Sequence, residues 1–222
     1  MTVRPKGVLY MDDREALIAA ARSMAGLGIN QGISGNLSMR TEAGMLITPS
    51  AIPYDDITPE QIALMPFGAE PGTYIGPKRP SSEWRFHLDI MEARPEVGAI
   101  VHTHAPYATA LAMARREIPA CHYMIARFGG APIRLAGYAL FGTAELSDQV
   151  VAALRGRTAC LMANHGFVAT GPTLAAAMVA AVELEALAKQ YVLSLSIGGP
   201  VLLSEREVSA AIRQFATAYV AN

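Results

Sequence analysis

Charge is scarce in this chain, and cysteine scarcer still. Charged residues fill 17% of the 222 positions against 52% for hydrophobic ones, the net charge is −1, and no block of Lys or Arg occurs. A chain without such a block lacks the electrostatic footprint of a nucleic-acid or anionic-lipid partner, which leaves small molecules as the expected partners. The only cysteines, Cys121 and Cys160, form no CxxC and no disulfide-dense pattern. That excludes a disulfide-stapled fold and suggests free thiols in the reducing cytoplasm. Long apolar runs are missing as well: the uncharged stretch 158–182 is interrupted at Asn164-His165-Gly166 and at Gly171-Pro172, so no membrane span is expected. Residues 1–11 contain Pro5 and too short an apolar stretch for a signal peptide, and without secretion the sequon at Asn36-Leu37-Ser38 carries no weight. A high apolar share with so little charge implies that other subunits cover part of the surface, so a homo-oligomer is expected.

What is present reads as a single α/β domain over residues 1–222, long enough to bury a full core and free of internal repeats. Residues 12–27 have helical periodicity, with Asp12 or Asp13 as the expected N-cap. Residues 36–40 and 45–48 flank the polar turn Thr41-Glu-Ala-Gly44 as a hairpin. Prolines and glycines between 66 and 80 make a loop that delivers the chain to Pro80-Ser-Ser-Glu83, where a helix starts and runs to about Arg94. A strand ending in His102 and His104 follows, then a short helix from Pro106. Short strands with glycine turns are expected over 118–141, then a helix over 145–154, a strand pair carrying His165, and a long helix over 173–197. Ser204-Glu-Arg-Glu207 reads as a capping box opening a last helix that ends near Tyr219. Because strands arrive in neighbouring pairs, the expected sheet is mostly antiparallel, with helices on both faces.

His102 and His104 close the apolar run Val97–Val101, and His165 follows the run Ala159–Ala163. Strand side chains alternate, so His-x-His turns both imidazoles to one face, and a third from a neighbouring strand completes a zinc site with one position open for chemistry. Ordinary strand histidines bonded to their neighbours are the competing reading. Glu83 follows Ser81 and Ser82 at a helix start, where free N–H groups favour an anion. It is either a helix-start acid or, turned the other way, a metal ligand. The serines suit a phosphate, and Gly35-Asn36 and Thr48-Pro49-Ser50-Ala51 carry donors that can complete its cradle. His87, one helical turn beyond Glu83, is a candidate ligand or a packed residue, and His122 is placed similarly. Tyr123 and Tyr219 are candidate proton donors, or packed rings with satisfied hydroxyls.

Taken in order, Asn36, Leu46-Ile-Thr-Pro-Ser-Ala-Ile-Pro-Tyr54, Ser81-Ser-Glu-Trp-Arg-Phe-His87, His102-Thr-His104, Ile118-Pro-Ala-Cys-His-Tyr-Met-Ile-Ala126, Phe141-Gly-Thr-Ala-Glu-Leu-Ser147 and Asn164-His-Gly166 resemble the class II aldolase/adducin family. The resemblance implies that family's fold, and a zinc ion, with manganese or cobalt as substitutes, held by His102, His104 and His165. It implies Glu83 as a ligand that moves off to act as general base. It places a substrate phosphate on Gly35, Asn36, Ser50, Ala51, Ser81 and Ser82, with Ala51 standing where the family usually has glycine. Tyr123, reaching in from a neighbouring subunit, Phe141, and Tyr219 with a one-residue slip fall at the aldehyde side. The implied reaction is reversible cleavage of a ketose 1-phosphate, of the L-fuculose, 5-deoxyribulose or 5-methylthioribulose type, to dihydroxyacetone phosphate and an aldehyde, by a cytoplasmic homotetramer with its site at a subunit interface. An L-ribulose-5-phosphate 4-epimerase is the nearest alternative. Such enzymes carry an aspartate in the segment aligned with His122–Phe128, whereas no acid occurs here between Glu117 and Glu145. Family decarboxylases and dehydratases are further alternatives, and a non-catalytic adducin-like module would lack the metal residues.

Overall fold

The computed structural model describes residues 9–218. Helix α1 (Met11–Gly26) starts after Tyr10, whose backbone is left-handed and whose side chain does not cap. Asp12 and Asp13 lie inside the first turn instead of at the cap, beside the positive helix end, which corrects the expected capping role. The hairpin β1 (Asn36–Arg40) and β2 (Gly44–Ile47) pairs Ser38 with Ile47. Next comes β3 (Ala63–Pro66), a strand for which the sequence gives no alternation signal because Ala63, Leu64 and Met65 are all buried. Helix α2 (Trp84–Ala93), β4 (Ala99–Thr103) and α3 (Pro106–Met113) follow, then a 3-10 segment (Tyr123–Phe128) and the two-residue β5 (Leu135–Ala136). The chain continues through α4 (Ala144–Ala153), β6 (Ala159–Met162), β7 (Gly166–Gly171), α5 (Leu174–Leu195) and α6 (Glu205–Ala218).

The seven strands form one sheet in the order β3-β2-β1-β4-β7-β6-β5, antiparallel except for the β5–β6 pair. Strand alternation divides the core in two. Leu37, Ala99, Val101, Leu161 and Phe167 face α1, α3 and α5, whereas Met45, Ile100, Cys160, Met162 and Val168 face α2 and α4. Each large side chain fully buried in these layers, Phe86 or Phe167 for example, contributes about 1.5–3 kcal/mol. No helix among the described residues is long and apolar enough to cross a membrane.

The ends of these elements are fixed by specific bonds. Arg40 on β1 donates to the carbonyls of Met91, Arg94 and Val97, closing the C-terminus of α2. The Ser204–Glu207 capping box is formed, with Ser204 N donating to Glu207 Oε2 at 2.7 Å and Glu207 N to Ser204 Oγ at 3.3 Å. Glu185 of α5 reaches across to the start of α3, accepting from Tyr107 N at 2.8 Å and Ala108 N at 2.9 Å. That contact fixes where the chain turns after His104.

Candidate metal centre

At one end of the sheet the last residues of β4, the first of β1, the β6–β7 turn and the start of α2 come together. His102 shares the face of Ile100, toward α2, because two residues of strand separate them, and it sits opposite Asn36 in the β1–β4 register. Its ring is fully buried, and Nδ1 lies 2.9 Å from the carbonyl of Phe167. A carbonyl only accepts, so Nδ1 carries a proton and Nε2 points into the site, where it donates to Glu83 while protonated and offers a lone pair to a metal once that proton is lost. His104 leaves the strand on the same side and brings its Nε2 to 3.1 Å from that of His102. His165 lies in the tight β6–β7 turn. Gly166 is required there, since a Cβ would fall 2.4 Å from the carbonyl of Thr103 and 2.8 Å from the His104 ring.

Glu83 completes the cluster. It is the residue before α2, and its side chain turns away from the helix amides: Oε2 is 3.1 Å from His102 Nε2, and Oε1 is 3.0 Å from His165 Nε2. The ligand atoms of Glu83, His102, His104 and His165 all lie within 4.8 Å of one another. Burial alone would push the Glu83 carboxyl up, but the charges and hydrogen bonds of His102 and His165 outweigh it and hold the group well below the ordinary carboxylate range. Burial lowers His104 to about 4, helped by His102 and His165, so its imidazole is in the neutral, ligating form. Burial also disfavours a charged His102, yet Glu83 prevails and holds that group up. Oε1 of Glu83 is buried with His165 Nε2 as its near polar neighbour. Three imidazole nitrogens and a carboxylate aimed at one another require positive charge between them, and three histidines with one acid are the donor set of a catalytic zinc ion. The residues present therefore fit a divalent metal.

The predicted phosphate residues divide. Ser81 N bonds to the Thr48 carbonyl and Ser50 N to that of Arg79, which lays the segments carrying Ser50 and Ser82 side by side. Both serines line a cavity of about 310 Å³ with Tyr74, Arg79 and Trp84. The Ser81 hydroxyl accepts from Glu83 N at 3.2 Å. Ala51 has a φ of 56°, the left-handed region that favours glycine. Gly35 packs under the His102 carbonyl, where a Cβ would come within 2.8 Å, and its own carbonyl accepts from the Tyr54 hydroxyl at 2.6 Å. The side chain of Asn36 is bonded to Glu83 and not to the serines, with Nδ2 donating to Oε2 at 2.8 Å.

His87 is not a ligand. It is fully buried, 2.6 Å from Asn36 Oδ1 and 2.7 Å from Ser38 Oγ, and burial together with the charge of His102 lowers it to about 3. His122 accepts from Met124 N at its 3-10 segment. Tyr123 stacks on Phe215 of α6, with ring centroids 6.0 Å apart, and neither it nor Phe141 takes part in the hydrogen bonds around Glu83. Tyr219 lies outside the described residues. Sequence reasoning missed Ser38, Tyr54 and Glu185. Ser38 was legible in principle, since it sits two residues from Asn36 and must share its strand face.

A three-histidine, one-carboxylate cluster, with Glu83 and His102 buried and His104 and His165 half-buried, beside a serine-rich helix start defines a metal-dependent enzyme acting on an anionic substrate. The sequence profile described as "Class II Aldolase and Adducin N-terminal domain" matches residues 15–192, and the chain belongs to the class II aldolase/adducin family. The chain is 52% identical over 204 residues to a 5-methylthioribulose-1-phosphate/5-deoxyribulose-1-phosphate aldolase of Rhodospirillum rubrum, covering 92% of this chain and 91% of that protein. It is 44% identical over 202 residues to the L-fuculose phosphate aldolase of Escherichia coli, covering 90% of this chain and 93% of that protein. A solved L-fuculose 1-phosphate aldolase superposes with a TM-score of 0.88 at 36% identity, covering 92% of this chain and 96% of that one.

Proposed function

We propose that the chain is a zinc-dependent aldolase that reversibly cleaves a ketose 1-phosphate to dihydroxyacetone phosphate and an aldehyde. The observation that carries this reading is the convergence of His102, His104, His165 and Glu83 at the start of α2, next to Ser81 and Ser82. A bound zinc ion supplies Lewis acidity, which stabilises negative charge on the substrate oxygens beside the breaking bond. Everything else falls to the chain. In cleavage the C4 hydroxyl gives up its proton, the C3–C4 electron pair stays on C3, and Glu83 delivers to that carbon a proton it has taken up from solvent, so that one proton leaves the hydroxyl and one arrives at C3. In synthesis Glu83 takes the proton from dihydroxyacetone phosphate. Tyr123 or Tyr219 exchanges the proton of the aldehyde oxygen. The phosphate is held by Gly35, Asn36, Ser50, Ala51, Ser81 and Ser82, a reading supported by the cavity that Ser50 and Ser82 share.

A homotetramer with the site at a subunit interface is supported by the outer aromatics. Tyr123 is 54% exposed, and Tyr138, Leu140 and Phe141 form one exposed apolar stretch. The free Cys121 and Cys160 suit a cytoplasmic protein. The test is a coupled assay for dihydroxyacetone phosphate on protein of measured zinc content, offered the 1-phosphates of L-fuculose, 5-deoxyribulose and 5-methylthioribulose. Release from at least one is expected. Full zinc occupancy with no release from any would overturn the reading.

A further inference from the structure

We infer that Ser38 and His87 are positioning residues, which fix the direction of the Asn36 amide and thereby anchor one oxygen of Glu83. The inference rests on Glu83 serving as the base. Asn36 and Ser38 lie two apart on β1, so they share a face, and Glu83 and His87 lie one helical turn apart along the start of α2. The strand pair and the helix pair meet as a ladder: Ser38 Oγ is 2.7 Å from His87 Nδ1, His87 Nε2 is 2.6 Å from Asn36 Oδ1, and Asn36 Nδ2 is 2.8 Å from Glu83 Oε2. All four side chains are buried.

With His87 fully buried and neutral, one set of proton positions satisfies this ladder. An ionised carboxylate accepts and never donates, so Asn36 must turn its NH₂ to Glu83 and its carbonyl to His87. That carbonyl also only accepts, so His87 must carry its proton on Nε2. The neutral ring then offers Nδ1 as an acceptor, and the Ser38 hydroxyl donates to it. Reversing any member sets two acceptors or two donors face to face in a buried site, where the mismatch is at its most costly. Burial keeps His87 neutral, in agreement with this order. The consequence is an asymmetric carboxylate. Oε2 is held by a donor whose direction is locked, whereas Oε1 among the described residues meets only His165 Nε2, at 3.0 Å, and is the oxygen left to exchange partners.

The test combines kinetics with the ring itself. In zinc-loaded His87→Phe, kcat should fall by about 10- to 100-fold with KM nearly constant and zinc content unchanged, because a base displaced by a fraction of an ångström loses rate and not substrate affinity. His87→Gln, which can again donate to Asn36, should recover most of the loss. His87→Phe added to Asn36→Leu should cost nothing further, since both act through one contact. Nitrogen-15 NMR of histidine-labelled, metal-free protein should show His87 as the Nε2–H tautomer at neutral pH, and as a mixture in Ser38→Ala. If His87→Phe does not fold, Ser38→Ala carries the kinetic test, with kcat several-fold lower at constant KM. An Nδ1–H ring in the wild type, or full additivity with Asn36→Leu, overturns the ladder. The base assignment fails separately: if Glu83→Gln still exchanges the proton of dihydroxyacetone phosphate, the ladder loses its role whatever the tautomer of His87.

Discussion

The ring of His102 donates through Nδ1 to the main-chain carbonyl of Phe167, 2.9 Å away on the neighbouring strand, and so presents Nε2 to the site before any metal arrives. His104 and His165 aim their own Nε2 atoms at the same space. Purified protein is therefore expected to carry one divalent metal per chain, by mass spectrometry of the acid-digested sample. Either His104→Ala or His165→Ala removes one of three imidazoles and should leave the metal well below one equivalent, and the double mutant should carry none. Full occupancy in the double mutant would show that the metal, if any, binds elsewhere.

Glu83→Gln separates metal binding from proton transfer. The amide is nearly isosteric and the three histidines remain, so fold and metal should survive. Proton exchange at the carbon next to the carbonyl of dihydroxyacetone phosphate should slow by about 10² to 10⁴. Tyr123→Phe should keep that exchange while slowing cleavage, because the hydroxyl is assigned to the aldehyde oxygen. Deuterium wash-in followed by proton NMR distinguishes them, and wild-type exchange in the glutamine variant would reduce Glu83 to a ligand.

Ala51 occupies the left-handed region with a φ of 56°, a conformation that costs an L-residue about 1–2 kcal/mol relative to its preferred ones. Glycine would relieve most of that, at the expense of a more disordered unfolded chain worth about 0.4–1 kcal/mol. Ala51→Gly should therefore raise Tm by about 1–4 °C in a chain of this size. Ala51→Val, β-branched and exposed, should lower it. Calorimetry on both variants decides, and a fall on introducing glycine would mean that Ala51 is not strained.

The sequence carried the centre further than it carried the frame around it. His-x-His at the end of an apolar run dictates one face through strand periodicity alone, and β4 delivers His102 and, one residue past its end, His104 to the same cluster. The antiparallel pairs and the Ser204 capping box were legible for the same reason: their signals are local. What escaped were relationships across the fold. β3, buried on both faces, has no period to read. The link from Asn36 to Glu83 is one such relationship, because only the β1–β4 register, which sets Asn36 opposite His102, brings its amide to the carboxylate. His87 looked equally like a ligand or a packing residue until Ser38 and Asn36 were seen on either side of it.

Glu185 offers a test of how the site's surroundings are held. Its carboxylate receives Tyr107 N and Ala108 N at the start of α3, two amides that helix geometry leaves without internal partners. Glu185→Ala strands both, and losing a buried acceptor of this kind costs about 1–3 kcal/mol, a Tm several degrees lower. Burial pushes the Glu185 carboxyl up, against the two amides and Lys189, which pull it down. A folded-state value above the unfolded one means that the folded chain binds this proton more tightly. The contribution of Glu185 is then largest below the ordinary carboxylate range and declines as pH rises through the raised folded value. A Tm–pH profile of Glu185→Ala, set against that of the wild type, should show the difference between them shrinking over that interval. A constant difference would mean that the carboxyl titrates alike in both states, and that burial at α3 leaves its proton affinity unchanged.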